Sequence, residues 1–303
     1  MHFPISGVDV NPVLLALVGM VIGVLGGFFG VGGGFLAGPL MFWLGVPMNY
    51  VVGTDLAHMT GKSLVAAKQH RALGHVDIKL AALMVVGTLI GVECGARLVE
   101  LLERLGSIDI VLGTAYVAIL LGISGFMGYD SIRALRRPPP RDDGVRTSDV
   151  AANHGIAARA RALRIPPMIS LPASGIKEIS LWAILGVGLM TGLFSGALGV
   201  GGGFVRMPAL VYGLGVSTHV AIGTDLFEIV VSAGYGTITH AVKGNVDVLM
   251  ALVMQTGAAI GAKMGALMTR RFSGPKIRLA FSAMPLFAAA VVLIRLIGAG
   301  GPH

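Results

Sequence analysis

Apolar windows of about 18 to 25 residues recur along nearly the whole chain, and the hydrocarbon core of a bilayer is crossed by about 20 helical residues. The windows fall at 12–29, 33–48, 50–67, 78–101 and 108–128, then again at 179–198, 202–216, 219–238, 246–269 and 277–298. Barrel strands would be short and would alternate polar with apolar positions, whereas these runs are long and do not alternate. The pattern predicts an all-α, polytopic membrane protein of about ten segments. Between 129 and 178 the chain turns polar, with Pro138, Pro139 and Pro140 in a row and basic residues from Arg133 to Arg164. That is the composition of a linker outside the membrane. The expected organisation is a first transmembrane repeat at 1–128, a basic cytoplasmic linker at 129–178 and a second transmembrane repeat at 179–303.

The two apolar blocks are copies of one another. Gly-Val-Gly-Gly-Gly-Phe at 30–35 returns at 199–204, and Pro39 returns as Pro208, an offset of 169. After one inserted residue the offset is 170: Gly-Thr-Asp-Leu at 53–56 returns at 223–226, His70 as His240, Gly74 as Gly244, and Val76-Asp77 as Val246-Asp247. Gly87, Gly91 and Gly95 return as Gly257, Gly261 and Gly265. So many matches at one offset mark a duplication.

Composition supports lipid as the solvent: 54% of residues are hydrophobic and 13% charged, with a mean hydropathy of +0.82. The net charge of +8 sits mainly in the connections between windows, so it reads as membrane topology and not as nucleic-acid binding. Lys68, Arg71 and Lys79 follow the third segment of the first half, whereas Arg270, Arg271, Lys276 and Arg278 follow the fourth segment of the second half. With a cytoplasmic linker, five segments per half place every basic connection inside and invert the second repeat. Both termini then lie outside. The second segment of each half is short and begins with glycines, the signature of a broken or re-entrant helix. The first eleven residues contain Asp9 and no Lys or Arg, unlike the basic leader of a cleavable signal, and the N-terminus is expected to stay. Cys94 is the sole cysteine, which excludes an internal disulfide and a cysteine-cluster metal site. No metal or cofactor is expected.

The paired motifs, 26–35 with Pro39 and 192–204 with Pro208, each followed by Gly-Thr-Asp, resemble the TauE/SafE sulfite exporter family. The likeness covers almost everything except the linker. It implies a secondary transporter in the bacterial cytoplasmic (inner) membrane that moves a small sulfur-bearing anion, such as sulfite or an organosulfonate like sulfoacetate.

Inverted-repeat carriers hold substrate near the bilayer midplane, where broken helices aim positive dipole ends at an anion. Backbone amides at Gly32, Gly33 and Gly34 and at Gly201, Gly202 and Gly203 could approach a sulfonate without a side chain in the way. The same glycines could equally serve only to let helices cross. Thr54 and Thr224 could cap helices that begin at Gly-Thr-Asp, or donate to a bound oxyanion. Lys62 and Arg206 are the candidates to balance the anion's charge, Arg206 alternatively snorkelling to the interface. Asp55 and Asp225 lie in apolar surroundings and are candidates for proton coupling or gating, with His58, Glu228, His70 and His240 beside them. Asp55, His58 and Lys62 share one helix face at spacings of three and four. Glu93 and Lys263 occupy equivalent positions with opposite charge, which suggests a salt bridge between repeats.

The expected partners are the lipid bilayer and a small anion. The face carrying Gly87, Gly91 and Gly95 offers helix packing within one protomer or between two. An embedded enzyme acting on a phosphate or lipid phosphate is the main alternative. It would need an acid and base cluster, and no Ser-His-Asp order, paired-histidine zinc motif or phosphatase string occurs. A passive anion channel is the other alternative. The expected work is alternating access by the two halves around one central site, with proton coupling through Asp55, Asp225 or a histidine.

Overall fold

The computed structural model describes residues 1–104, 108–136, 165–198 and 203–299. The first repeat opens with a short antiparallel hairpin, β1 (His2–Phe3) and β2 (Val8–Asp9), followed by α1 (Pro12–Phe29), α2 (Gly34–Trp43), α3 (Met48–Ala72), α4 (Ile78–Arg104) and α5 (Ile108–Leu135). The second repeats the order: a hairpin of β3 (Met168–Leu171) and β4 (Ile176–Ser180), then α6 (Leu181–Leu198), α7 (Gly203–Pro208) running on as a π-helical turn (Ala209–Leu214), α8 (Thr218–Val242), α9 (Val248–Met268) and α10 (Gly274–Ala299). This is an all-α polytopic membrane protein.

Length and apolarity alone single out the stretches Pro12–Phe29, Ile78–Gly95 and Val248–Arg271 as spans. Helix α3 is long enough to cross, yet it carries Asp55, His58, Lys62 and His70, all of them buried. Polar side chains turned into the protein lower a helix's mean hydropathy without exposing charge to lipid. Helix α2 has ten residues, about 15 Å at 1.5 Å per residue, half of a hydrocarbon core of about 30 Å. It is a half-helix, as the glycine-led segment implied.

Secondary structure reaches into the expected linker from both sides, because α5 continues to Leu135 and the second hairpin begins at Met168. Most of the Arg-rich stretch, 137–164, lies outside the described residues. Each hairpin has a defined task. Ser6 donates from its backbone (3.1 Å) and its hydroxyl (2.7 Å) to Asp247 Oδ2, and Ser174 Oγ donates to Asp77 Oδ2 at 2.7 Å. Asp77 and Asp247 in turn accept from Leu80 N (2.9 Å) and Met250 N (3.0 Å), capping α4 and α9. Each hairpin therefore braces a helix of the other repeat.

The two repeats are interlaced. The most extensive helix pairings, α1 with α9, α4 with α6, α5 with α10 and α3 with α8, all join one repeat to the other. Helix α1 lies so close along α9 that a Cβ on Gly19, Gly23 or Gly27 would overlap the main chain at Met254, Ala258 and Ala262. Gly257, Gly261 and Gly265 are pressed in the same way on α1, and Gly87 and Gly91 on α6. Small residues let helix backbones touch where lipid supplies no hydrophobic drive. The glycine faces that the sequence left open to packing within or between protomers are thus used inside the chain.

Helices α3 and α8 correspond by the repeat and run antiparallel. Gly53 near the start of α3 abuts His240 in the last turn of α8 and Asn245 just beyond it, and Gly223 near the start of α8 abuts His70 in the last turn of α3 and His75 just beyond it. At their crossing Met59 packs with Ile229, its own repeat equivalent. A twofold that maps α3 onto an antiparallel partner lies across the helices, in the membrane plane, so the second repeat is inverted relative to the first.

Candidate functional site

The first glycine break lies at this crossing, where a Cβ on Gly30 or Gly32 would meet Ile222, Met59 and Ile229. Helix α1 ends at Gly30, whose φ of 77° is left-handed and whose amide donates to Gly26 O at 2.9 Å. Gly33, with φ of 76°, turns the chain into α2; both are conformations that a side chain disfavours. Gly203 at the start of α7 presses on the other break: a Cβ there would stand 3.0 Å from Val31 Cγ1 and 3.1 Å from Val31 Cα. Gly201 and Gly202 lie outside the described residues.

One face of α3 lines the first break. An added Cβ would lie 2.8 Å from Asp55 Oδ2 at Gly34 and 2.8 Å from Lys62 Nζ at Gly33, and would overlap the Met59 side chain at Gly32. Glycine is required here because α3 projects its polar side chains onto the bare backbone. His58 Nδ1 stands 3.4 Å from Asp55 Oδ1. Lys62 is 2% exposed, and among the described residues its ammonium has no hydrogen-bond partner; neither has His58 Nε2. A buried ammonium beside a glycine backbone that carries no side chain can accept a charge-assisted hydrogen-bond partner such as an anion.

The second repeat builds a different cluster on the same frame. Arg206 Nη1 donates to Asp225 Oδ1 at 2.8 Å and forms a salt bridge with Glu228 Oε2. All three side chains are at most 1% exposed. Arg206, expected to balance a substrate, is instead occupied by two carboxylates. Its sequence position at the second break did not reveal this, because the partners lie one helix further on.

Thr54 and Thr224 depart from expectation too. They sit in the second turns of α3 and α8 and cap neither. Thr54 Oγ1 accepts from Asp247 N at 2.9 Å, and Thr224 Oγ1 accepts from Asp77 N at 3.0 Å. Each Gly-Thr-Asp therefore splits into three tasks: glycine admits a turn of the other repeat, threonine hydrogen-bonds that turn, and aspartate joins the central cluster. The Asp77 and Asp247 caps escaped the sequence reading, although Val-Asp before an apolar run at 76–77 and again at 246–247 is a helix-start signal.

His70 Nε2 donates to Gly27 O at 2.9 Å and pins α3 to α1, whereas His240 is partly exposed. Neither reaches the central clusters. Glu93 does not bridge to Lys263: it pairs with Arg97 one turn along α4 at 2.9 Å, and both Glu93 and Lys263 are exposed. The pseudo-twofold brings inward-facing residues together, and these two face outward.

Two inverted, interlaced repeats with a helix break beside buried charges at their crossing define the class: a membrane protein built like an inverted-repeat carrier. Residues 15–292 match the family model for sulfite exporter TauE/SafE, and the chain belongs to that family of membrane transporters. It is 24% identical over 269 residues to "Probable membrane transporter protein YunE" of Bacillus subtilis, covering 86% of this chain and 89% of the relative. A "Probable membrane transporter protein" of Xylella fastidiosa (strain Temecula1) is 37% identical over 124 residues, covering 39% of this chain and 45% of the relative. "Sulfite exporter TauE/SafE family protein 3" of Arabidopsis thaliana is 26% identical over 117 residues, covering 37% of this chain and 25% of that protein. No solved structure matches with significance.

Proposed function

We propose that the chain is a secondary carrier of a small sulfur-bearing oxyanion, such as sulfite or a sulfonate, in a bacterial cytoplasmic membrane. The observation that carries this reading is Lys62, whose buried ammonium lacks a hydrogen-bond partner among the described residues and lies against Gly33 at the break before α2. The anion sits between that ammonium and the positive N-terminal end of α2, with Asp55 and His58 setting the local charge. The family's name and the chemistry of the site agree on a small anion.

The interlacing bears on how access alternates. Rocking one repeat as a rigid body against the other would part the α1–α9 and α4–α6 backbones. The bodies that move are instead helix pairs drawn from both repeats, α1 with α9 and α4 with α6, hinged at the α3–α8 crossing.

Calorimetric titration of the purified protein with sulfite, sulfate, sulfoacetate and acetate tests the substrate class. The sulfur anions should bind and acetate should not; equal binding of all four, or of none, refutes it. Saturable counterflow in proteoliposomes is the outcome expected of a carrier, against linear flux for a channel and chemical conversion for an enzyme.

A further inference from the structure

The Arg206–Asp225–Glu228 cluster combines one positive and two negative formal charges in side chains at most 1% exposed. An uncompensated charge in such surroundings is costly. Arg206 Nη1 engages one oxygen of each carboxylate. The other oxygens, Asp225 Oδ2 and Glu228 Oε1, are buried without a hydrogen-bond partner among the described residues, as is Arg206 Nε.

Among the described residues, no further charged group is paired with this cluster. The charges acting on Asp225 are Arg206 and Glu228. On α3, the ionisable groups Asp55, His58 and Lys62 act on one another. Asp77 at the start of α4 is held by Leu80 N and Ser174. Arg278 on α10 is held by Thr218 and Asp130, and Tyr212 in the π-helical turn by Asp130. Helix α1 carries no ionisable residue. His240 lies at the far end of α8, on no part of the cluster.

We infer that Arg206, Asp225 and Glu228 form a proton-binding site, made of different side chains from the anion site at Lys62, in which the pair of carboxylates takes up one proton. Adding one proton to the carboxylate pair forms one O–H bond, turns one carboxylate into a carboxylic acid and takes the cluster from a formal charge of −1 to zero. Two carboxylates and a guanidinium suit a proton better than a hard metal ion, which takes six or more oxygen ligands. Asp55 and Asp225 are equivalent in the repeat, as are His58 and Glu228. The duplicated frame thus carries an anion in one repeat and a proton in the other. Binding of the proton stands by itself; its coupling to anion movement rests on the carrier reading.

Infrared difference spectroscopy of the full chain in lipid nanodiscs, stepped through the carboxylate titration range, reads the proton without any substrate. A protonated-carboxyl band that disappears as pH rises is expected, lost or shifted in Glu228→Gln and separately in Asp225→Asn. Lys62→Met should keep the band, so failure of the anion site and failure of the proton site are told apart. If one acidic variant does not fold, the other reads the same band. No protonated-carboxyl band in the wild type, or a band untouched by both acidic substitutions, overturns the inference. A carboxylate band that answers to sodium at fixed pH, and not to protons, overturns it as well.

Discussion

The clusters at Lys62 and at Arg206 occupy one frame duplicated and inverted, and they differ in what neutralises the cation. Arg206 is bridged by two carboxylates within a few ångströms, whereas Lys62 has Asp55 nearby and no hydrogen bond among the described residues. A buried cation held by fixed carboxylates is part of the scaffold. One that lacks a fixed partner can accept a mobile one. Duplication keeps the backbone crossing, and substitution of a few inward-facing residues is enough to give its two sides opposite preferences.

That contrast predicts opposite responses to removing each cation. Arg206→Met leaves two buried carboxylates facing each other and should cost about 3–5 kcal/mol of stability, read as a large fall in thermal midpoint in detergent. Adding Asp225→Asn and Glu228→Gln to the same chain should recover most of it; no recovery would mean that the arginine's packing mattered, and not its charge. Lys62→Met should leave the thermal midpoint unchanged or raise it, because a buried unpartnered amine is costly. It should weaken anion binding about a hundredfold, about 2.7 kcal/mol, measured by titration with sulfite or sulfoacetate. A stable Lys62→Met protein that binds anions normally would end the distinction between the clusters.

Smaller effects test the scaffold shared by both sides. Thr54→Val and Thr224→Val each remove one hydrogen bond between repeats and should cost about 1 kcal/mol apiece. Because each bond joins a different pair of elements, the double variant should be additive within about 0.5 kcal/mol. Glu93→Gln and Lys263→Met, on outward faces, should each change stability by less than about 0.5 kcal/mol, without coupling. A strong coupling between them would restore the cross-repeat bridge that the structure does not form.

Much of the frame was legible because its causes are local or repeated. A helix in lipid must satisfy its own backbone, so apolar length gave ten segments with ends close to those observed. The repeat was legible in the sequence, but the contact between the equivalent Met59 and Ile229 was supplied by the fold. The hairpins were not legible: strands of two to five residues with polar turns leave no apolar run, and their role depends on Asp77 and Asp247 far along the chain.

For the site, sequence by itself determined which residues were costly to place in a membrane, and Asp55, His58, Lys62, Arg206, Asp225 and Glu228 are all central. Tertiary structure alone decided their partners. Coulomb energy and hydrogen bonding act over a few ångströms, and Arg206 meets Asp225 only because the chain returns through α8. The same distance rule separates Glu93 from Lys263 and leaves Lys62 free, since a side chain's charge is set by what the fold brings within reach.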